Sequence, residues 1–238
     1  YFFATDGVHG YELWKSDGTE AGTVMVKDIV SGSGSSMSLQ TGKHHIAALN
    51  NKIYFVVNDG IHGEELWKSD GTEAGTVMVK DINPDSDHSN IKSLTPMGNT
   101  LYFRADDGTH GAELWKTDGT TSGTVMVKDI YSGSSGGVAI ANRMTAVGNT
   151  LYFQANDGTH GHELWKSDGT LSGTVMVKNI NSGNNNANIQ PISVAGNYIY
   201  FEAQSSYPDY SGYSFWRSDG TDAGTINILN GERLSNSG

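Results

Sequence analysis

The amino-acid sequence predicts an all-β protein, a five-bladed β-propeller with four antiparallel strands per blade, and three observations carry that expectation. The stretch ELWKSDGTEAGTVMVKDI at Glu12–Ile29 recurs letter for letter at Glu65–Ile82. The five tryptophans, Trp14, Trp67, Trp115, Trp165 and Trp216, follow one another at 53, 48, 50 and 51 residues. The tyrosines that open the Tyr-Phe pairs, Tyr1, Tyr54, Tyr102, Tyr152 and Tyr200, keep the same period. Between these landmarks, short apolar runs rich in Val, Ile, Tyr, Phe and Trp alternate with Gly, Asn, Asp and Ser clusters. That is the pattern of strands and tight turns, and few stretches show the spacing of an amphipathic helix.

The third copy displays the elements of one unit. Residues 91–97 (IKSLTPM) form a short first strand, and Gly98-Asn99-Thr100 turns it into a second, 101–105 (LYFRA). The loop Asp107-Gly108-Thr109-His110-Gly111 leads to a third strand beginning at 113–116 (ELWK), and 118–123 turns into a fourth, 124–130 (TVMVKDI). Gly and Asn at these joints supply the positive φ that tight hairpins need. Four strands in 40–50 residues describe a propeller blade, whereas a single-stranded solenoid coil has a shorter period. The weak alternation of the fourth strand suits a blade covered on both faces. The units fall at about 1–30 with 232–238, 45–82, 91–130, 140–180 and 189–230, one domain across 1–238. The chain opens in the middle of a strand and ends Leu234-Ser235-Asn236-Ser237-Gly238, which matches the end of a first strand. The C-terminal segment Glu232–Gly238 is therefore expected to complete the first blade and close the ring. The opening at Tyr1 also suggests a natural chain that is longer than this one.

The totals narrow the function classes. Net charge is −11, with 26 acidic and 15 basic residues, so a phosphate backbone is repelled and nucleic acid is an unsuitable partner. Cysteine is absent, which excludes disulfides, zinc thiolates and thiol catalysis. No run reaches the length of a membrane span and no signal peptide is visible.

The motif ELWKSDGT in copies one, two and four, ELWKTDGT in copy three and SFWRSDGT in copy five resemble the ELWxxDGT repeat of large secreted and surface-attached prokaryotic proteins. The resemblance spans all five units. It implies secretion or surface display, in arrays, with adhesive or structural duties, and it implies no particular activity.

Three sets of residues are candidates for a role. Ser-Asp-Gly-Thr-x-x-Gly-Thr joins the third and fourth strands in every copy, with Thr117 for the first Ser in copy three. Its Asp17, Asp70, Asp118, Asp168 and Asp219 read as hairpin braces that accept backbone N–H bonds, the alternative being five acidic sites on one face. The five tryptophans read as packing anchors between blades rather than sugar platforms. Asp-Gly-x-His-Gly-x-Glu occurs four times: Asp6/His9/Glu12, Asp59/His62/Glu65, Asp107/His110/Glu113 and Asp157/His160/Glu163. Hard oxygens around an imidazole would suit Ca²⁺ better than Zn²⁺, and the alternative is that Asp and His brace the loop. The fifth copy lacks the triplet.

The unrepeated pair His44-His45 lies near the start of an inner strand. Tyr207, Tyr210 and Tyr213 sit in the fifth copy's odd loop, where flat hydroxyl-bearing rings suit glycan or protein contacts. Loops after the second strand share a face with the blade connections, and that face is the expected site for a protein or glycan ligand. No phosphate loop, HExxH or Ser–His–Asp order is present. The sequence therefore reads as a non-catalytic binding or structural module, not an enzyme, of a secreted or cell-surface protein. A lectin-like multivalent glycan binder and a metal-assisted hydrolase or lyase with an axial site are the alternatives.

Overall fold

The structure, a computed structural model, describes residues 1–37, 46–139, 144–190, 192–205 and 212–229. Among these the regular structure is entirely strand, with no helix. The strands are β1 (Phe2–Ala4), β2 (Glu12–Lys15) and β3 (Val24–Lys27), then β4 (Ile46–Leu49), β5 (Lys52–Asn58), β6 (Glu64–Ser69) and β7 (Val77–Lys80). Next come β8 (Lys92–Met97), β9 (Thr100–Asp106), β10 (Ala112–Thr117) and β11 (Val125–Lys128), then β12 (Thr145–Val147), β13 (Thr150–Asn156), β14 (His162–Ser167) and β15 (Val175–Lys178). The last group is β16 (Ser193–Ala195), β17 (Tyr198–Gln204), β18 (Tyr213–Ser218) and β19 (Ile226–Leu229).

Each group forms one antiparallel meander, which gives four four-stranded sheets and a first sheet of three strands, β1-β2-β3. The residues expected to add a fourth strand to the first sheet, 232–238, lie outside the described residues. Closure of a ring through them is therefore not part of the described fold.

Local chemistry accounts for the hairpins. The two-residue turn between β4 and β5 is Asn50-Asn51, at φ 51° and 58°. Both are left-handed, as a turn matched to strand twist requires. The pairing of the third and fourth strands slips by one residue just before the tryptophan, at Leu13/Trp14, Leu66/Trp67, Leu164/Trp165 and Phe215/Trp216. A bulge at that point increases the local twist.

Contacts along the chain divide it into two compact units, Tyr1–Gly111 with Trp115–Val125, and Ala112–Leu114 with Met126–Gly238. In the first unit, Leu13, Val26, Phe3 and Ile29 of the first sheet pack on Ile53, Phe55, Val57 and Trp67 of the second. Phe3 meets Phe55 edge to face at 5.9 Å between ring centres. In the second unit, Tyr152, Leu164, Val177 and Ile180 of the fourth sheet pack in the same way on Ile199, Phe201, Ala203 and Trp216 of the fifth. Phe55, Phe103, Phe153 and Phe201 are completely buried, each removing an aromatic side chain from water at a gain of about 1.5–3 kcal/mol. The outermost strands differ from expectation. In β3, β7, β11 and β15 only one Val is buried while the leading Val is exposed, because these strands form sheet edges.

Candidate functional site: the Asp-His loops and the buried glutamates

The loop that follows the second strand of a sheet is built by its aspartate. Asp6 Oδ1 accepts the N–H groups of Val8 (2.9 Å) and His9 (2.7 Å), and Asp6 Oδ2 lies 2.8 Å from His9 Nδ1. Asp59 treats Ile61 and His62 alike, with Nδ1 at 2.7 Å, and Asp107 and Asp157 hold His110 and His160 at 2.8 Å. One carboxylate thus closes the turn with one oxygen and fixes the imidazole with the other. The His9 backbone N–H and imidazole hold the Asp6 carboxyl well below the usual carboxylate range. Partial burial opposes ionisation at Asp59, Asp107 and Asp157, yet the same histidine donors outweigh it and lower all three. In return the carboxylates of Asp6 and Asp59 raise the pKa of His9 and His62 above 6.5.

The glutamate of each triplet does something else. Glu12, Glu65, Glu113 and Glu163 are fully buried. Glu113 Oε2 accepts Ile130 N–H at 3.1 Å, while Oε1 accepts Tyr131 N–H at 3.1 Å and Gly137 N–H at 2.8 Å. Glu12 receives Ile29, Val30 and Ser36; Glu65 receives Ile82 and Asn83; Glu163 receives Ile180 and Asn181. Each glutamate therefore ties down the start of the connection to the next sheet. Burial pushes the pKa up to about 7 at Glu65 and Glu113 and about 8 at Glu163, against the opposing pull of the N–H donors. Glu12 moves in the same direction.

This geometry does not bring the three side chains of each expected Ca²⁺ ligand set together. Asp6/His9, Asp59/His62, Asp107/His110 and Asp157/His160 stand as pairs, and Glu12, Glu65, Glu113 and Glu163 are turned into the protein on other work. Among the described residues no group of three or more His, Asp or Glu side chains is placed to hold a metal. Sequence reasoning missed the role of the glutamate. The available signal was that four copies run unbroken from Glu to Ile at a constant separation, the two ends of this hydrogen bond.

The second hairpin box is equally committed. Asp70 Oδ1 accepts Thr72 N–H (3.0 Å) and Oγ1 (2.7 Å), Gly75 N–H donates to Thr72 Oγ1 (2.9 Å), and Ser69 and Thr76 hydroxyls meet at 2.7 Å. Asp17, Asp118, Asp168 and Asp219 each accept the same pair of bonds. A Cβ on Gly75 would run into the Asp70 carboxylate, so the second Gly of the box is needed for space.

Trp67, Trp115, Trp165 and Trp216 are buried and Trp14 is half-buried. Lys27, Lys80 and Lys128 lie 5.9, 5.6 and 5.7 Å from the ring centres of Trp67, Trp115 and Trp165. The same ammonium groups donate to the Thr76, Thr124 and Thr174 carbonyls at 3.0, 3.0 and 2.8 Å. These lysines were not singled out from sequence, although each occupies a fixed place after Val-Met-Val.

Tyr213 begins β18, 41% exposed, and its hydroxyl accepts a 3.0 Å bond from Gln190 Nε2. Tyr207, Tyr210, His44 and His45 lie outside the described residues. The tips of the first two His loops, Val8 and Ile61, are exposed apolar side chains.

Five antiparallel sheets, and no helix among the described residues, make an all-β, β-propeller-like fold. No family model matches the chain, and no curated protein matches it. Solved structures do. A puromycin hydrolase is 14% identical at a TM-score of 0.53, over 88% of this chain and 30% of its own. Its S511A mutant complexed with PGG gives 15% and 0.51, over 75% and 27%. A Mycobacterium tuberculosis puromycin-hydrolyzing peptidase gives 13% and 0.51, over 82% and 30%. At these identities the likeness shows the fold alone, and the chain spans less than a third of the length of each of these three structures. The expectation of a purely non-catalytic module, and of a chain that is not an enzyme, is corrected: the structures that share its fold are hydrolases and a peptidase.

Proposed function

We propose that this chain is the propeller part of a peptide-hydrolysing enzyme, and that its Asp6/His9 and Asp59/His62 loops receive the peptide. The observation that carries this reading is the pattern of coverage. Structures of a puromycin hydrolase, its S511A mutant and a puromycin-hydrolyzing peptidase match most of this chain while most of their own length lies beyond the match. Cleavage is accordingly assigned to a catalytic region outside these residues. The loop geometry supports a receiving role, since Asp6 and Asp59 spend their oxygens on fixing loops that lift Val8 and Ile61 into solvent. Within each unit the sheets act as blades, the first laid on the second and the fourth on the fifth. A secreted or surface setting, implied by the ELWxxDGT resemblance, belongs to the same proposal.

The test is hydrolysis of peptide arylamides and puromycin by the whole polypeptide that carries this chain. Val8→Asp with Ile61→Asp should raise KM and leave kcat in place, because only binding is altered. An unchanged KM, or no turnover of any peptide by the wild-type polypeptide, would overturn the reading.

A further inference from the structure

Asp-Gly occurs nine times in the sequence, five times in the hairpin boxes and four times in the His loops. The turns require it: the glycine of each step has φ between +76° and +92°, the left-handed region where a Cβ is strained. The same lack of a side chain leaves the glycine nitrogen unhindered, next to a carboxyl one methylene away from the main chain. Attack of that nitrogen on the aspartate Cγ closes a five-membered imide. The turn chemistry that builds this fold therefore plants a reactive step at nine of its turns.

Both reacting groups are held in place. In the third box, Gly119 N–H donates to Thr117 Oγ1 at 2.9 Å, and Thr117 is completely buried with its hydroxyl 2.7 Å from Thr124 Oγ1. Asp118 Oδ1 accepts Thr120 N–H at 2.8 Å and Thr120 Oγ1 at 2.7 Å. The Thr120 hydroxyl, and then its N–H, hold the Asp118 carboxyl below the usual carboxylate range, so it stays ionised and has no water to lose. The arrangement is general. In all nine steps the glycine N–H donates to a side-chain oxygen of the residue before the aspartate, at 2.7 to 3.1 Å. That residue is Ser, Thr, Asn or Asp, so what recurs is the acceptor and not the residue. The turn is already closed from the other side, because each aspartate Oδ1 accepts the N–H two residues on. The preceding oxygen is left with a task of its own.

We propose that the nine Asp-Gly steps are latent isoaspartate sites, and that the side-chain oxygen before each aspartate suppresses the reaction by holding the glycine N–H. When a step opens, the glycine nitrogen bonds to Cγ of the protonated carboxyl. The amide proton leaves with the carboxyl hydroxyl as one water. A water then adds to either carbonyl of the imide and breaks its C–N bond. Opening on one side restores aspartate, and opening on the other gives isoaspartate, in which the main chain runs through Cβ. The chain gains a methylene there and the free carboxylate moves to Cα, so at Asp118 the bonds from Thr120 are lost.

Long incubation in mildly acidic buffer, followed by tryptic peptide mapping that separates aspartate from isoaspartate, tests it site by site. Asp118 and Asp168 fall in peptides of different sequence, so each is read by itself. Folded wild-type protein should accumulate isoaspartate at both far more slowly than the same protein in urea. Thr117→Val keeps the buried shape and removes the oxygen. It should speed the reaction at Asp118 roughly twofold to tenfold, the factor expected when one hydrogen bond is taken from a local opening equilibrium, with Asp168 unchanged. Thr117→Ser, which copies the other four boxes, should restore the wild-type rate. Where circular dichroism shows that Thr117→Val does not fold, Asn156→Ala puts the same question at Asp157, read against Asp107, because Asn156 Oδ1 accepts Gly158 N–H at 2.7 Å. Equal rates in folded and urea-unfolded protein overturn the proposal. So does a folded Thr117→Val that leaves Asp118 at the wild-type rate or speeds Asp168 equally, or a Thr117→Ser that reacts as fast as Thr117→Val.

Discussion

Replacing Glu113 by Gln separates the two effects that act on the buried glutamates. The wild-type carboxyl receives the N–H of Ile130 on Oε2 and those of Tyr131 and Gly137 on Oε1. The glutamine oxygen can keep the pair on Oε1, but the amide NH₂ then faces the Ile130 N–H, donor against donor. One buried N–H left unmatched costs about 1–3 kcal/mol. The charge acts in the other direction. The folded-state pKa of Glu113 is raised to about 7 from 4.5, so its contribution is fully present below the unfolded value and is lost as pH rises through about 7. Between about pH 5 and about pH 8 that loss amounts to roughly 2–3 kcal/mol for this one residue. Glutamine does not titrate and escapes it. Urea denaturation followed by tryptophan fluorescence should therefore find Glu113→Gln less stable than wild type by about 1–3 kcal/mol near pH 5, with that gap moved by about 2–3 kcal/mol in the variant's favour near pH 8. A stability gap of the same size at both pH values would refute the assignment of a burial-raised carboxyl at this position.

Trp115→Ala should cost about 3–5 kcal/mol in the same assay, the usual range for an aromatic truncated in a core, and a loss below about 1 kcal/mol would mean that the ring adds little to the packing. Asp59→Asn should bring the His62 pKa down toward 6.5, read by NMR from its ring proton, because the Asp59 side chain is the main cause of the upward shift. An unmoved titration would deny that the pair is coupled. Gly75→Ala pushes a methyl group into the Asp70 carboxylate and should destabilise by about 1–3 kcal/mol, while Ala74→Gly at the exposed neighbour should change little. Equal effects at the two positions would show that the tight approach of Gly75 to Asp70 has no energetic weight.

Much of the fold was legible because its punctuation is local. In the third copy, strands expected at 91–97, 101–105 and from 113 are found at Lys92–Met97, Thr100–Asp106 and Ala112–Thr117. Turn chemistry sits within a few residues of each boundary, so a single stretch of chain contains the information. The fourth strand shows where that stops: expected over 124–130, it ends at Lys128. The Ile130 N–H is bonded to Glu113, a partner supplied by the neighbouring strand and not by adjacent residues.

The candidate site divides along the same line. Asp107 and His110 are three residues apart in one loop, and their pairing is a matter of turn geometry. Glu113 is three residues further on and looks like a third member of the set, but it lies on β10, and its side chain runs into the interior to hold the next connection. Burial is the quantity that sequence carried least. Phe2 and Phe55 hold the same place in the Tyr-Phe pairs of the first and second copies, and one is exposed while the other is sealed. Repeat period, turn chemistry and strand positions were determined by neighbouring residues. Which faces are covered, which carboxyls are buried and which cations lie over which rings were decided only when sheets some fifty residues apart in the chain came to lie on one another.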